Sequence, residues 1–279
     1  MPVTRRDFLK FSSLAAAGGL ITATTAALFK DESNTLSIEH ITIPINNLKP
    51  ALEGFKIVQM TDFHLYPFTQ LDLVERAVEV SNSLDPDLTV LTGDYVWRNI
   101  NAMDDLAPAL AKLDAKYGVF ATIGNHDIWL DVEAVKSSFK AVGLPVLENQ
   151  GITFDAGGAS LHLAGLDDGW SGSPDLEAAM DGAPQDAPVI LLMHEPDLAD
   201  RYSQDPRISL QLSGHTHGGQ IRIPGVGALV HPHLGKKYDF GLYNVNGMWL
   251  YTNRGIGCIS EPIRINCPPE ISEFTLVRA

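Results

Sequence analysis

The chain has 279 residues, of which 45% are hydrophobic and 19% charged, which suits an α/β domain with a large core and excludes long disordered stretches. Its formal net charge of −14 disfavours sequence-independent binding to nucleic acids, because such binding depends on Lys and Arg contacts to phosphates. With nine His and only two Cys, the sequence predicts nitrogen and oxygen ligands for any metal site.

The first element, residues 1–29, has the pattern of an export signal. Arg5 and Arg6 are followed by Phe8-Leu9-Lys10, and residues 11–29 carry no charge. The arginine pair in this context resembles a twin-arginine signal, which predicts recognition by the twin-arginine export machinery. We therefore expect a location in the periplasm or on the outer face of the cytoplasmic membrane. Whether the segment is cleaved or kept as an N-terminal anchor, and whether the protein associates with the membrane or the cell wall, stay open.

Residues 30–279 are predicted to form one catalytic domain of strands and helices. Apolar runs at residues 55–60, 88–91 and 118–123 predict strands, and helices are predicted from Leu71 and over Val132–Ala141. After Gly143, closely spaced strands with glycine turns follow at residues 152–154, 161–163, 189–193 and 208–212. Residues 238–277 read as hairpin strands. The pattern predicts βαβ units first and a more antiparallel second half, packed as one sandwich.

Polar clusters come directly after five of the predicted strands. Open α/β sheets place their sites at the carboxyl ends of the strands, so we expect these clusters to converge. The glycines within them let the chain turn sharply and bring the backbone close to a ligand. In chain order, the clusters are Asp62-Phe63-His64, Gly93-Asp94, Gly124-Asn125-His126-Asp127, His194 and Gly214-His215-Thr216-His217.

These residue types suit a pair of divalent ions bridged by one carboxylate. The predicted ligand sets are Asp62, His64, Asp94 and His217 for one ion, and Asp94, Asn125, His194 and His215 for the other. Mixed nitrogen and oxygen ligation favours Mn, Zn or Fe over Ca or Mg. Two such ions, roughly 3.5–4 Å apart, bind phosphate oxygens and lower the pKa of a bridging water from about 15.7 towards about 7.

In order and spacing, the five motifs resemble the calcineurin-like metallophosphoesterase superfamily, from Phe55 to the C-terminus. Later segments, such as Leu192-Met193-His194-Glu195-Pro196-Asp197, look like its bacterial exported branch. The resemblance implies a four-layer αββα sandwich with a dinuclear metal site at the strand ends, and hydrolysis of phosphomonoesters or phosphodiesters. It assigns His126, as a catalytic residue beside Asp94, to protonating the leaving oxygen. One departure is Trp97, which stands where the superfamily usually has an Asp that supports this histidine.

The resulting expectation is a phosphodiesterase that acts outside the cytoplasmic membrane through a metal-bridging hydroxide, on a small phosphoester or a lipid-linked phosphate. Two alternatives are a pyrophosphatase of the UDP-2,3-diacylglucosamine type, acting on a lipid-linked nucleotide sugar, and a catalytically silent metal-binding protein of the envelope. Arg254 either contacts the substrate phosphate or bonds loop carbonyls. Cys258 and Cys267 either form a disulfide or are two buried thiols.

Overall fold

The computed structural model describes residues 30–279, and the predicted twin-arginine segment, residues 1–29, lies outside the described residues. Two β-sheets and the helices packed on their outer faces make up the described part. Within residues 30–279, none of the helices has both the length and the apolar composition that a membrane crossing requires.

The first sheet contains five strands in the order β1-β13-β2-β3-β4. Strands β2, β3 and β4 run parallel to one another, as the βαβ pattern predicts, while β13 is antiparallel to β2 and parallel to β1. The strand bounds are β1 Ser37–Ile45, β2 Lys56–Met60, β3 Leu88–Thr92, β4 Val119–Thr122 and β13 Glu270–Arg278.

The second sheet contains six strands in the order β11-β12-β8-β7-β6-β5. Its four central strands, β12, β8, β7 and β6, are parallel, and only the edge pairs β5-β6 and β11-β12 are antiparallel. The bounds are β5 Gln150–Ala156, β6 Ala159–Gly165, β7 Val189–Leu192, β8 Ile208–Ser213, β11 Gly241–Val245 and β12 Met248–Thr252. A separate two-stranded ribbon pairs β9 Arg222–Ile223 with β10 Gly227–Ala228.

Two features of the second half correct the sequence prediction. Its sheet is not mainly antiparallel, because crossover segments, which leave the sheet at one end and re-enter it at the opposite end, join β6 to β7 and β7 to β8. The C-terminal region is not a set of hairpins either. Only β11 and β12 form one, whereas β13 crosses to the first sheet and lies between β1 and β2. The crossing strand ties the two halves together.

The helices cover both outer faces and complete the predicted four-layer αββα sandwich. Helices α1, α2 and α4 pack on the first sheet, and α5 and α6 on the second. Their bounds are α1 Leu71–Ser83, α2 Met103–Leu110, α3 Asn125–Leu130, α4 Val132–Ala141, α5 Leu176–Ala179 and α6 Ala199–Tyr202. Helix α4 has the bounds that the sequence predicts.

Successive side chains along each strand point to opposite faces of its sheet, and together they build three apolar layers. In β2, Ile57 faces the layer between the two sheets, and Val58 faces the helices outside. In β7, Leu192 lies between the sheets and Leu191 lies against the outer helices. Because side chains point to opposite faces at successive strand positions, continuous apolar runs such as Val189–Leu192 suit strands buried on both faces.

Candidate metal centre

The predicted ligands, distant in sequence, lie together at one edge of the sandwich. They occupy the turns that follow β2, β3, β4, β7 and β8, where the carboxyl ends of parallel strands meet. Three groups each have ligand atoms within 4.8 Å of one another: Asp62 with His64 and His217, Asp94 with His194 and His215, and His64 with Asp94 and His126. The third group joins the other two through His64 and Asp94.

The backbone at these turns is strained. Five of the seven predicted ligands have a positive φ, with values from 42° to 74°. These five are Asp62, His64, Asp94, His215 and His217. Left-handed backbone costs a residue with a side chain roughly 1–2 kcal/mol, so the surrounding structure must hold these turns in place. The strain lies at the edge where the chemical groups converge.

Glycines permit the close approach between the turns, as the sequence predicts. Gly93 has a φ of 97°, and a Cβ atom at this position would lie 2.7 Å from the Gly124 nitrogen and 2.8 Å from His194 Nδ1. A Cβ atom at Gly214 would collide with the carboxylate of Asp62. Larger residues at either position would therefore push the ligand turns apart.

Asp94 lies between the two ligand groups. Its Oδ2 is 3.3 Å from His64 Nε2 and 3.1 Å from His194 Nε2. Its Oδ1 accepts a hydrogen bond of 2.9 Å from the backbone N–H of His126. One oxygen is therefore central to both groups while the other fixes the orientation of the carboxylate.

Backbone carbonyls orient three of the imidazole rings. His64 Nδ1 bonds the carbonyl of Val96 at 3.1 Å, and His194 Nδ1 bonds that of Thr92 at 2.6 Å. His215 instead uses Nε2, which bonds the carbonyl of His233 at 2.6 Å. Because a carbonyl only accepts, each bonded nitrogen carries the proton, and the other nitrogen of the neutral ring keeps its lone pair for a metal.

Several buried polar atoms at this edge have no hydrogen-bond partner among residues 30–279. They are His64 Nε2, His194 Nε2, His217 Nε2 and Asn125 Oδ1. Leaving such an atom buried without a partner costs about 1–3 kcal/mol, so four of them in one place call for a ligand. Three imidazole nitrogens and an amide oxygen, around two carboxylates, form the donor set of a transition-metal site. The residues therefore fit bound divalent ions.

The electrostatics of the centre favour positive charge. Burial opposes ionisation of Asp62, yet the neighbouring His217 and His64 hold the pKa of its carboxyl well below the usual value. Burial would lower the pKa of His64, but Asp62 and Asp94 raise it to about 9. For His215, burial and the nearby His194 lower the pKa to about 4. The two carboxylates attract cationic charge, either as protons on imidazoles or as metal ions, and His215 is kept in its metal-binding neutral form.

Asp127 holds two of the ligand turns together, a role that the sequence does not reveal. Its Oδ2 accepts the N–H groups of Asp94 and Gly124, at 2.9 Å and 3.0 Å, and its Oδ1 accepts those of Tyr95 and Val96, at 2.9 Å and 3.4 Å. Burial and the charge of Asp94 raise the pKa of Asp127 to about 7. The motif signalled that Asp127 lies near the site, but only the fold shows that it bonds backbone rather than a metal.

His126 lies in an aromatic surrounding. Its ring is 4.9 Å from His64, 4.7 Å from Trp97 and 4.8 Å from Trp129, measured between ring centroids. Burial lowers the pKa of His126 to about 4. At the position where the resemblance leads one to expect a carboxylate, the indole of Trp97 packs on the ring of His126.

Another buried carboxylate positions a loop that lies beside the ligand His215. Glu195, next to His194, accepts the N–H groups of Gly169 and Trp170, at 2.8 Å and 3.2 Å. The Trp170 ring lies 5.9 Å from the ring of His215 and 4.8 Å from that of Trp129. No pattern in the sequence indicates that Glu195 supports this loop.

Three other predicted residues, Arg254, Cys258 and Cys267, lie in the chain between β12 and β13. Arg254 donates hydrogen bonds to Glu270 and Glu39, which is a structural role, and its reach to a substrate phosphate stays a prediction. Cys258 and Cys267 are buried free thiols, the second of the two alternatives, and the Cys267 thiol lies 3.1 Å from the carbonyl of His217.

Comparisons with known proteins point to one family. Residues 55–219 match the family described as calcineurin-like phosphoesterase. Over 281 residues, the chain is 37% identical to the uncharacterized metallophosphoesterase YkuE of Bacillus subtilis, covering 98% of each chain. It is 34% identical to the phosphodiesterase YaeI of Escherichia coli, covering 80% of this chain and 82% of the relative. Among solved structures, the SoxB sulfate thiohydrolase of Thermus thermophilus aligns over 75% of this chain and 53% of its own, with a TM-score of 0.50 and 13% identity, which shows a shared fold only.

Proposed function

The chain belongs to the calcineurin-like phosphoesterase family, a family of metal-dependent hydrolases of phosphoric esters, and we propose that it is a phosphodiesterase that uses two divalent ions. One observation carries the proposal: unpartnered His and Asn ligand atoms surround the buried carboxylates of Asp62 and Asp94. The likeness to a relative named a phosphodiesterase supports the reaction class.

Two of the ligand groups support the proposed sets, and the unpartnered buried oxygen of Asn125 supports its place in the second set. Asp62, His64 and His217 would hold one ion, Asn125, His194 and His215 the other, and Asp94 lies between both. Bound Mn, Zn or Fe ions would supply Lewis acidity to the phosphate and acidify a water. Water adds its oxygen to phosphorus, the P–O bond to one alcohol breaks, and the departing oxygen takes up a proton.

The side chains around the ligands have separate tasks in this scheme. Asp127 and the carbonyls of Thr92 and Val96 keep the ligands in place, so little reorganisation is needed when the substrate binds. His126 borders the ligand groups without belonging to the proposed ligand sets. We propose that it donates the proton to the leaving oxygen once the negative charge of a bound phosphate raises its low pKa.

Hydrolysis of a substrate panel tests the function. We expect protein loaded with Mn or Zn to cleave bis(nitrophenyl) phosphate with a higher kcat/KM than nitrophenyl phosphate. A nucleotide-diphospho lipid forms the third arm, because preferred cleavage of this compound would point to the pyrophosphatase. An Asp62→Ala protein serves as the control for contaminating hydrolases. Two bound ions without turnover in any arm would contradict the proposal and favour a silent metal-binding protein.

We propose in addition that the protein is exported by the twin-arginine machinery and acts in the periplasm or on the outer face of the cytoplasmic membrane. The support is the Arg5-Arg6 motif and the uncharged residues 11–29. Replacing both arginines by lysine keeps the charge and should retain the protein inside the cell, as cell fractionation would show. Unchanged export of this variant would refute the twin-arginine proposal.

A further inference from the structure

A pocket of about 350 Å³ lies directly beside the metal centre and shares His215 and His217 with it. Its size is at the lower end of the range for small-molecule sites, so it suits one part of a ligand. Most of its other side chains are aliphatic: Ile221, Leu229, Val230, Pro232 and Ile259.

Two of the polar side chains that line this pocket, Gln220 and Thr216, are already bonded to the protein, whereas Ser260 and Glu261 are exposed residues of the lining. The amide nitrogen of Gln220 donates to the carbonyls of Ile259 and Glu261, and its oxygen accepts the N–H of Ile259. The Thr216 hydroxyl donates to the carbonyl of Asp239. A polar ligand would lose its hydrogen bonds to water here and regain few, whereas an apolar group loses nothing.

The rim of the pocket exposes aliphatic surface. Leu229 and Val230 are 58% and 73% exposed, and the two are consecutive residues beside the metal ligands. Exposed apolar patches on soluble proteins often mark binding grooves, because covering them removes apolar surface from water. The nearby Val226 is 70% exposed but lines a different cavity at the tip of the β9-β10 ribbon.

We propose that this pocket binds an alkyl or acyl chain carried by the substrate, so that the enzyme hydrolyses amphiphilic phosphodiesters. The proposal rests on the proposed phosphodiesterase function and names its substrate class. The shared lining residues His215 and His217 place the chain next to the phosphate that the metal centre holds. The aliphatic side chains supply affinity along the chain, and the metal centre supplies the chemistry.

A series of alkyl nitrophenyl phosphodiesters, from methyl to hexyl and below their micelle concentrations, measures the contribution of the chain. The leaving nitrophenolate is the same throughout, so differences in kcat/KM report binding of the alkyl group. We expect kcat/KM to rise about fourfold per methylene until the pocket is full, the factor that corresponds to burial of one CH₂. A flat series would overturn the proposal.

Two valine variants locate the effect. Val230→Asn adds no charge but removes part of the aliphatic lining. It should therefore reduce the rise in kcat/KM to about twofold per methylene or less. Val226→Asn is the matched control, because Val226 is equally exposed but lies outside the pocket, and it should keep the wild-type rise. The same substrates are also presented in lipid vesicles. If both variants lose the same part of the rise in kcat/KM, and only in the vesicles, the result would overturn the pocket in favour of a membrane contact.

Calorimetric titration with alkylphosphonates separates this proposal from the proposed function. Their carbon–phosphorus bond is not hydrolysed, so the Kd reports binding alone. A Kd that falls with chain length in the wild type and not in Val230→Asn supports the pocket, even if no ester is cleaved. The absence of cleavage would count against the phosphodiesterase function alone. A Kd independent of chain length, in a protein that hydrolyses the methyl ester, would refute the pocket alone.

Discussion

Replacing Asp127 by asparagine exchanges one carboxylate oxygen for an NH₂ group at nearly constant size. Each oxygen accepts two backbone N–H groups, so in either orientation the new amide nitrogen would face donors instead of an acceptor. A hydrogen bond to a charged group contributes about 1.5–3 kcal/mol, and the loss of two costs roughly 3–6 kcal/mol. This is a large part of a typical unfolding free energy of about 5–15 kcal/mol.

The assay is thermal unfolding together with elemental analysis of metal-loaded protein at about pH 8, which lies above the pKa of about 7 of Asp127. Bound ions would offset the charge of Asp94, which together with burial raises this pKa. A loss of 3 kcal/mol or more lowers the Tm of a domain of this size by at least about 6 °C. We also expect metal to be lost, because Asp127 links the turn of Asp94 to that of Gly124, next to Asn125.

Asp131→Asn is the matched control for this experiment. Asp131 also accepts a backbone N–H, that of Ala134 at 3.0 Å, but it is exposed and caps helix α4, where asparagine caps equally well. We expect a change in unfolding free energy below about 0.5 kcal/mol for this variant. An Asp127→Asn protein with the Tm and metal content of the wild type would refute the reasoning, since the four N–H groups would then need no carboxylate.

Three further predictions follow from the same geometry. Asp94→Ala should abolish both metal binding and hydrolysis, because its carboxylate lies between the two ligand groups; two full equivalents of metal by elemental analysis would contradict this. His126→Ala should slow alkyl esters roughly 10²–10⁴-fold more than nitrophenyl esters, with the metal retained, since only the alkoxide needs a proton; equal losses in kcat would argue against an acid. Arg254→Gln leaves buried Glu270 without its cation, so it should lower the unfolding free energy by about 3 kcal/mol at unchanged KM. A raised KM at constant Tm would instead show that Arg254 contacts the substrate.

The amino-acid sequence was sufficient to predict most of the elements and the place of the site. Strands such as Leu88–Thr92 and Val189–Leu192 are rich in apolar and β-branched residues, and Gly or His follows each within two positions. Their position and the convergence of the groups after them therefore follow from local pattern. Helix Val132–Ala141 shows the apolar spacing of one buried face, and its bounds were predicted for that reason.

Other features depend on contacts between residues far apart in the chain. The pairing of β13 with β1 and β2, and the parallel centre of the second sheet, are set by which strands pair, which no local period encodes. The left-handed turns at Asp62 and His215 run against the preference of these residues, and the surrounding packing maintains them.

The same distinction applies within the site. Residue type and spacing predicted which side chains would meet, because His, Asp and Asn after buried strands have few structural uses. Only the tertiary structure shows that Asp127 bonds backbone, that Arg254 faces Glu39 and Glu270, and that aliphatic side chains form a pocket next to His217. The physical reason is that a side chain's chemistry is local to the sequence, whereas its partners are determined by distances that exist only after folding.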